Sequence, residues 1–143
     1  MTVLDANLQF SDSQALTVDA DSTNYYNASS DRDIGVGEPM AVVVYAESAF
    51  GGTTPTIAVS VETDDNTSFS SGTILTTSQA YTPATLTAAN DKIVIPLPMT
   101  NEQYIQLNYD MEGTSPTLTV SAYLMPLSLV ENRREYPNNY TIS

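Results

Sequence analysis

Three groups of residues could do chemistry. Asp64-Asp65-Asn66, with Glu62 just before, places four oxygen-bearing side chains within five residues. A Ca²⁺ ion, which takes about six to eight oxygens, could use such a cluster. The calcium-loop spacing is missing, however: Thr67 and Ser68 follow, with no glycine at the sixth position and no glutamate at the twelfth. A hairpin turn is the preferred reading. Gly35-Val36-Gly37 invites comparison with phosphate-cradling loops, but it has no third glycine, no Lys-Ser/Thr pair and no helical pattern after it. Asp31, Asp33 and Glu38 flank it and would repel a phosphate. It reads as a tight turn, with Arg32 as its ion-paired anchor. Tyr104, Tyr109, Tyr123, Tyr136 and Tyr140 could form a sugar-stacking platform or an interface patch, since each ring is apolar with one polar tip. The lack of tryptophan weakens the sugar reading, and several of these tyrosines fit ordinary strand positions.

The residue types that are missing exclude more. The 143 residues include no cysteine and no histidine. That removes disulfides, thiolate nucleophiles, cysteine-based metal sites and every Ser-His-Asp or Cys-His arrangement. Carboxylates, tyrosines and one lysine remain, and a carboxylate pair for glycoside hydrolysis would have to be assembled from distant loops. Neither an enzyme activity nor a cofactor is expected. With 17 acidic and 4 basic side chains the formal charge is −13. Nucleic acid is a poor partner, because Arg32, Lys92, Arg133 and Arg134 are the whole supply of phosphate contacts. An anionic membrane surface would repel the chain similarly. No apolar run approaches the roughly 20 residues of a membrane span. The first residues show no basic, apolar export pattern.

These residues must be positioned by strands. Thr and Ser supply 19 and 15 residues, beside 9 tyrosines, a composition suited to the pleated surface of a sheet. Period-two alternation is clear in Ile57–Glu62, Ile105–Asp110 and Leu118–Leu124, and briefer at Ile93–Ile95 before Pro96. Met40–Tyr45 is apolar on both faces and reads as a central strand covered on two sides. Ala15–Asp19, Thr73–Thr77 and Thr85–Ala88 are weaker candidates. About eight strands result, in an all-β, antiparallel sandwich. The clusters Gly51-Gly52-Thr53-Thr54-Pro55, Ser70-Ser71-Gly72 and Glu112-Gly113-Thr114-Ser115-Pro116 read as turns between them.

The chain divides into an N-terminal arm (1–13), a β-sandwich domain (14–125) and a C-terminal arm (126–143). Leu4, Leu8 and Phe10 sit on a segment too short to bury them alone, so they pack on their own domain or on a neighbour. The C-terminal arm carries two of the four cations, Arg133 and Arg134, with Tyr136 and Tyr140 close behind.

Read together and in order, Leu4–Ala15, Arg32-Asp33-Ile34-Gly35-Val36-Gly37-Glu38-Pro39 and Tyr104–Tyr109 resemble the small cementing, or decoration, proteins of tailed bacteriophages of the Bordetella-phage Bbp16 type. The likeness runs from about Leu4 to Leu124. It implies a jelly-roll-like β-sandwich that binds the outside of an HK97-type capsid as a homo-oligomer near symmetry axes. There it would reinforce contacts between major capsid protein subunits, without enzyme activity. Arg32, Asp33, Gly35, Gly37, Glu38 and Pro39 carry over as a structural turn signature. The tail after Pro126 is longer than the family pattern.

The expected function is therefore that of a structural virion protein, made in the host cytoplasm and carried on the outer capsid surface. Its partners would be the major capsid protein and itself, with a homodimer favoured over a homotrimer on the general prevalence of two-fold association. Leu4, Leu8, Phe10, Arg133, Arg134, Tyr136 and Tyr140 are the candidate contacts with the capsid or with other copies. The alternative is a carbohydrate-binding or adhesion module on a virion or cell surface, built on tyrosines and acidic loops.

Overall fold

The structure, a computed structural model, describes residues 8–28, 40–87, 91–98 and 102–126. Eight strands form: β1 (Gln9–Leu16), β2 (Ala20–Asp21), β3 (Tyr26–Asn27), β4 (Met40–Ala46), β5 (Gly51–Asp64), β6 (Thr73–Thr77), β7 (Lys92–Pro96) and β8 (Tyr104–Pro126). Every strand pairing is antiparallel, and the described residues include no α-helix. The all-β, sandwich-like architecture expected from the alternation is what forms.

One strand organises the rest. The 23 residues of β8 are a spine with a long segment of chain laid antiparallel along each side. On one side β1, β2 and β3 follow in order, from Gln9 opposite Tyr123 to Asn27 opposite Tyr104. On the other side β4 and β5 do the same, from Met40 opposite Pro126 to Asp64 opposite Tyr104. β7 flanks β4 and β6 flanks β5.

The sheet curls because β5 and β8 bend where they cross. Gly52-Thr53-Thr54-Pro55 lies against Gly113-Thr114-Ser115-Pro116, with Thr53 opposite Thr114 and the register shifting on both sides of that pair. The two stretches share one conformation. Gly52 and Gly113 have φ of 123° and 108°, and Thr54 and Ser115 have φ of 48° and 50°. Positive φ at the first position of each motif calls for glycine. Space demands it as well: a Cβ on Gly113 would lie 2.7 Å from the Pro55 Cα, and one on Gly52 would lie 2.9 Å from the Pro116 Cα. Such paired bulges bend a strand sharply and raise its twist.

The bend also changes which face points inward. Along β8 the buried apolar residues are Ile105, Leu107, Tyr109 and Met111 before the corner, then Leu118, Val120, Ala122 and Leu124 after it. Along the β4–β5 side they are Val42, Val44 and Ala46, then Ile57, Val59 and Val61. Odd and even positions exchange roles across both corners, so both halves of the curled sheet face a single core. Phe10, Leu16, Ile93, Ile95 and Leu86 fill it. Each fully buried side chain of this size contributes about 1.5–3 kcal/mol.

Three expectations change. Gly51–Pro55 and Glu112–Pro116 are corners inside single strands, not turns between strands, because the paired bulges let hydrogen bonding resume on the far side. The early strand runs over Gln9–Leu16 and not Ala15–Asp19, so it begins inside the segment assigned to the N-terminal arm. Thr85 belongs to a turn, in which the amides of Thr85 and Leu86 donate to the Thr82 carbonyl at 3.0 and 2.8 Å. Only Leu86 of that stretch reaches the core, and Ala88 lies outside the described residues.

Two substitutions test this account. Gly113→Val should lower the urea-unfolding free energy by at least about 1–3 kcal/mol, the cost of one strained φ/ψ. Gly51→Ala should cost less, since its φ is not positive and its new Cβ would meet only the rotatable Thr117 hydroxyl. Thr63 is 1 % exposed and its hydroxyl has no hydrogen-bond partner. Thr63→Val should therefore raise stability by about 1 kcal/mol in the same measurement.

Candidate interaction surfaces

The spine's outward side chains form the polar surface of the molecule. Asn108, half-buried on β8, donates through Nδ2 to Asp21 Oδ1 at 2.6 Å and to Glu62 Oε2 at 3.1 Å, bridging carboxylates from β2 and β5. Gln106 donates to the same Glu62 oxygen at 2.6 Å. The Asp19 carboxylate accepts the Met111 amide at 2.8 Å. Beside this network, Asp19, Ala20, Asp21, Asn108, Tyr109 and Asp110 line an open cleft of about 300 Å³. Two of its carboxylates, Asp19 and Asp21, accept from neutral amide donors of β8.

A second knot joins β1, the end of β4 and β8. Glu47 accepts hydrogen bonds from the Ser121 hydroxyl and, at 2.7 Å, from the Ser13 hydroxyl. The Ser13 amide donates to Ser121 Oγ at 2.9 Å, which holds the β1 bulge where Ser13 has φ of 48°. The bonds from Ser121 and Ser13 hold the Glu47 carboxyl below the ordinary glutamate range, against a small opposing effect of burial. Inside the core, Ser11 Oγ donates to Gln14 Oε1 at 2.7 Å, so the Tyr109 hydroxyl 2.8 Å away must be its donor. Burial pushes the Tyr109 phenol well above its usual pKa, only partly offset by Ser11. A phenol so placed works as a structural donor.

The acidic group Glu62, Asp64, Asp65 and Asn66 does not converge on one point. Glu62 points to Gln106 and Asn108, while Asp64 turns back to accept the Ser71 amide at 3.0 Å and the Ser71 hydroxyl at 3.1 Å. Burial works to raise the Asp64 pKa, but the bonds from Ser71 and Asp65 outweigh it and lower the value. Asn66 Oδ1 accepts the Ser68 amide at 2.9 Å, and the segment makes the turn between β5 and β6. Among the described residues, no three of His, Cys, Asp and Glu are placed to hold a metal ion together.

The tyrosines are dispersed. Tyr109 is in the core, Tyr104 stands where β8 begins, and Tyr123 is on the outer face of the β1–β8–β4–β7 half, ring against Tyr45. Tyr136 and Tyr140 lie outside the described residues. A group of rings not anticipated from the sequence forms where Tyr25 meets Tyr104 edge-on at 5.5 Å and Phe69 at 6.2 Å with a 58° tilt. Tyr25 is separated from its ring partners by over forty residues, and only the pairing of β3 with β8 brings it near Tyr104.

Phe10 is 1 % exposed and Leu8 is half-buried against the same core. Both side chains pack on their own domain, where β1 pairs with the spine from Gln9 onward. Leu4, the Arg32–Pro39 signature, Arg133 and Arg134 lie outside the described residues. Among the described residues Lys92 is the one cation, against eleven aspartates and glutamates. No described helix is long and apolar enough to cross a membrane.

Fold and surface together define an all-β, strongly acidic module whose buried polar groups serve strand pairing. A family model described as Bbp16 matches residues 10–124, and the chain belongs to that family. This makes it a phage-related protein. No curated protein matches it.

If Glu47 fastens three strands, its contribution has a pH signature. The folded pKa lies below the unfolded one, so the stabilisation is complete above the ordinary glutamate range and is lost as pH falls through the lowered value. Glu47→Gln should be less stable than the parent at pH 7, and the gap should narrow in thermal melts as pH falls below the ordinary glutamate range.

Proposed function

We propose that this protein is a non-enzymatic structural component of a virion. It would bind the outer surface of a tailed-phage, HK97-type capsid and cement contacts between major capsid protein subunits. Membership of the Bbp16 family over residues 10–124 is the observation that carries this reading. The physical character of the body supports it: a curled sheet fastened by side-chain bonds to backbone and neighbouring strands, with no cysteine from which to form a disulfide. Its charge of −13 opposes random self-association and leaves geometric docking as the selective step.

Retention need not come from one tight contact. If each assembly of this protein touches two capsid subunits, the second contact forms at high effective concentration and modest interfaces combine into strong attachment. Arg133 and Arg134 are the proposed charged contacts, reaching acidic capsid patches that the body itself would repel. Self-association as a homodimer is the simplest assembly.

Co-sedimentation with purified capsids tests the reading: the protein should pellet with capsids and remain in the supernatant without them. The Arg133→Ala/Arg134→Ala variant should be released at lower salt than the parent, since exposed ion pairs are screened. Failure of the parent protein to pellet, or specific capture on a glycan array, would overturn the proposal.

A further inference from the structure

The sheet ends differently on its two sides. β7, one outer strand, opens on Lys92 beside Asp91 and closes on Pro96. A charge and a proline are common means by which a strand edge refuses a further strand. β6, the outer strand of the other half, pairs with β5 alone among the described residues and has neither. Its sequence, Thr73-Ile74-Leu75-Thr76-Thr77, is four β-branched residues and one leucine, which favours sheet. Its one guard is a register shift opposite Val61 and Glu62, which leaves Leu75 without a residue across from it. Charge is absent from the neighbouring sequence too. In a chain of net −13, no charged residue stands between Asp65 and Asp91, the longest uncharged run of all. The carboxylates of β5 alongside are turned away, Glu62 to Gln106 and Asn108, Asp64 to Ser71. Ile74 is nevertheless 48 % exposed.

We propose that a second copy of this chain pairs antiparallel with β6, edge to edge, joining the two sheets across a two-fold axis. The inference rests on the homodimer of the proposed function and names its surface. Residues opposite one another in paired strands point to the same face. Ile74 lies opposite Glu62 and Thr77 opposite Ser60, on the outer face, whereas Thr76 lies opposite the core residue Val61 and Leu75 packs on the core. A two-fold axis between Leu75 and Thr76 therefore matches the faces. Ile74 meets Thr77 of the second copy, and Leu75 meets its Thr76. The strand is thus complementary to itself, and such a contact closes with two copies. It is also where two strongly acidic bodies approach without setting carboxylate against carboxylate.

Sedimentation of the full chain over a range of concentrations tests the pairing, since a short strand pair is a small and weak interface. The parent should show a reversible monomer–dimer equilibrium. Ile74→Lys/Thr77→Lys sets like charges opposite each other and should weaken association about tenfold, although it lowers the overall repulsion between copies. Ile74→Lys/Thr77→Glu sets opposite charges there and should recover most of the loss. Both native side chains are exposed, so both variants should melt near the parent in dilute solution. Cysteine pairing gives a second measure in a chain with no native cysteine. Ile74→Cys/Thr77→Cys should oxidise to a cross-linked dimer, because within one strand the two positions are about 10 Å apart and cannot join. Val18→Cys, at a site 67 % exposed away from this edge, should not. A parent that stays monomeric up to about 1 mM, or a dimer that the two charge variants affect alike, would refute the assignment. Pelleting with capsids by such a monomer would refute this edge and leave the capsid reading standing; a β6-paired dimer that fails to pellet would do the reverse.

Discussion

The structure depends on one antiparallel crossing, where Gly52–Pro55 meets Gly113–Pro116. Without the double bend, β8 and its two flanking segments would make a long ribbon with an apolar face open to water. With it, the two halves turn toward each other and share one core. The energetic logic is reciprocal, because each glycine is required by the backbone of the opposite strand: Gly113 by Pro55, Gly52 by Pro116. The proline after each bulge is buried at the corner, where its fixed φ limits the unfolded alternatives.

The same geometry explains why so many polar side chains are engaged. A bulge leaves backbone donors without ladder partners, and buried donors left unpaired cost free energy. Ser121 satisfies the Ser13 amide at the β1 bulge, Asp19 satisfies Met111 near the corner, and Ser48 satisfies Thr119 on its far side. Abundant Ser, Thr and Asp thus serve both to satisfy irregular backbone and to coat the surface. A very acidic chain tolerates this because amides such as Asn108 stand between its carboxylates.

Much of the fold was legible in the sequence and one central feature was misread. The alternation of Ile57–Glu62 and Ile105–Asp110 announced half-buried strands, and the unbroken apolar run at Met40–Tyr45 announced burial on two faces. The exchange from odd to even positions between Ile105–Tyr109 and Leu118–Leu124 was also visible. It signalled an inserted bulge, but glycine followed by proline three residues later is read locally as a chain reversal. Only the pairing partner tells a corner from a turn. The surface sites were less legible, because Glu47, Ser13 and Ser121, or Tyr25, Phe69 and Tyr104, converge through register and leave no mark in local spacing. Leu8 and Phe10 could go to either destination until the start of β1 was known.

The spine has a further consequence for how the molecule is made. Each of the five strands that pair with β8 precedes it in the chain, so none of those pairings can form while the polypeptide is still being synthesised up to Gln103. Before then only the β4–β7 and β5–β6 pairs are available, each with apolar surface showing. Assembly must wait for a single distant segment to thread between two waiting edges, a search dominated by long-range closure and therefore slow. The dense negative charge then has a kinetic role, keeping nascent chains apart during the interval when they are most prone to stick to one another.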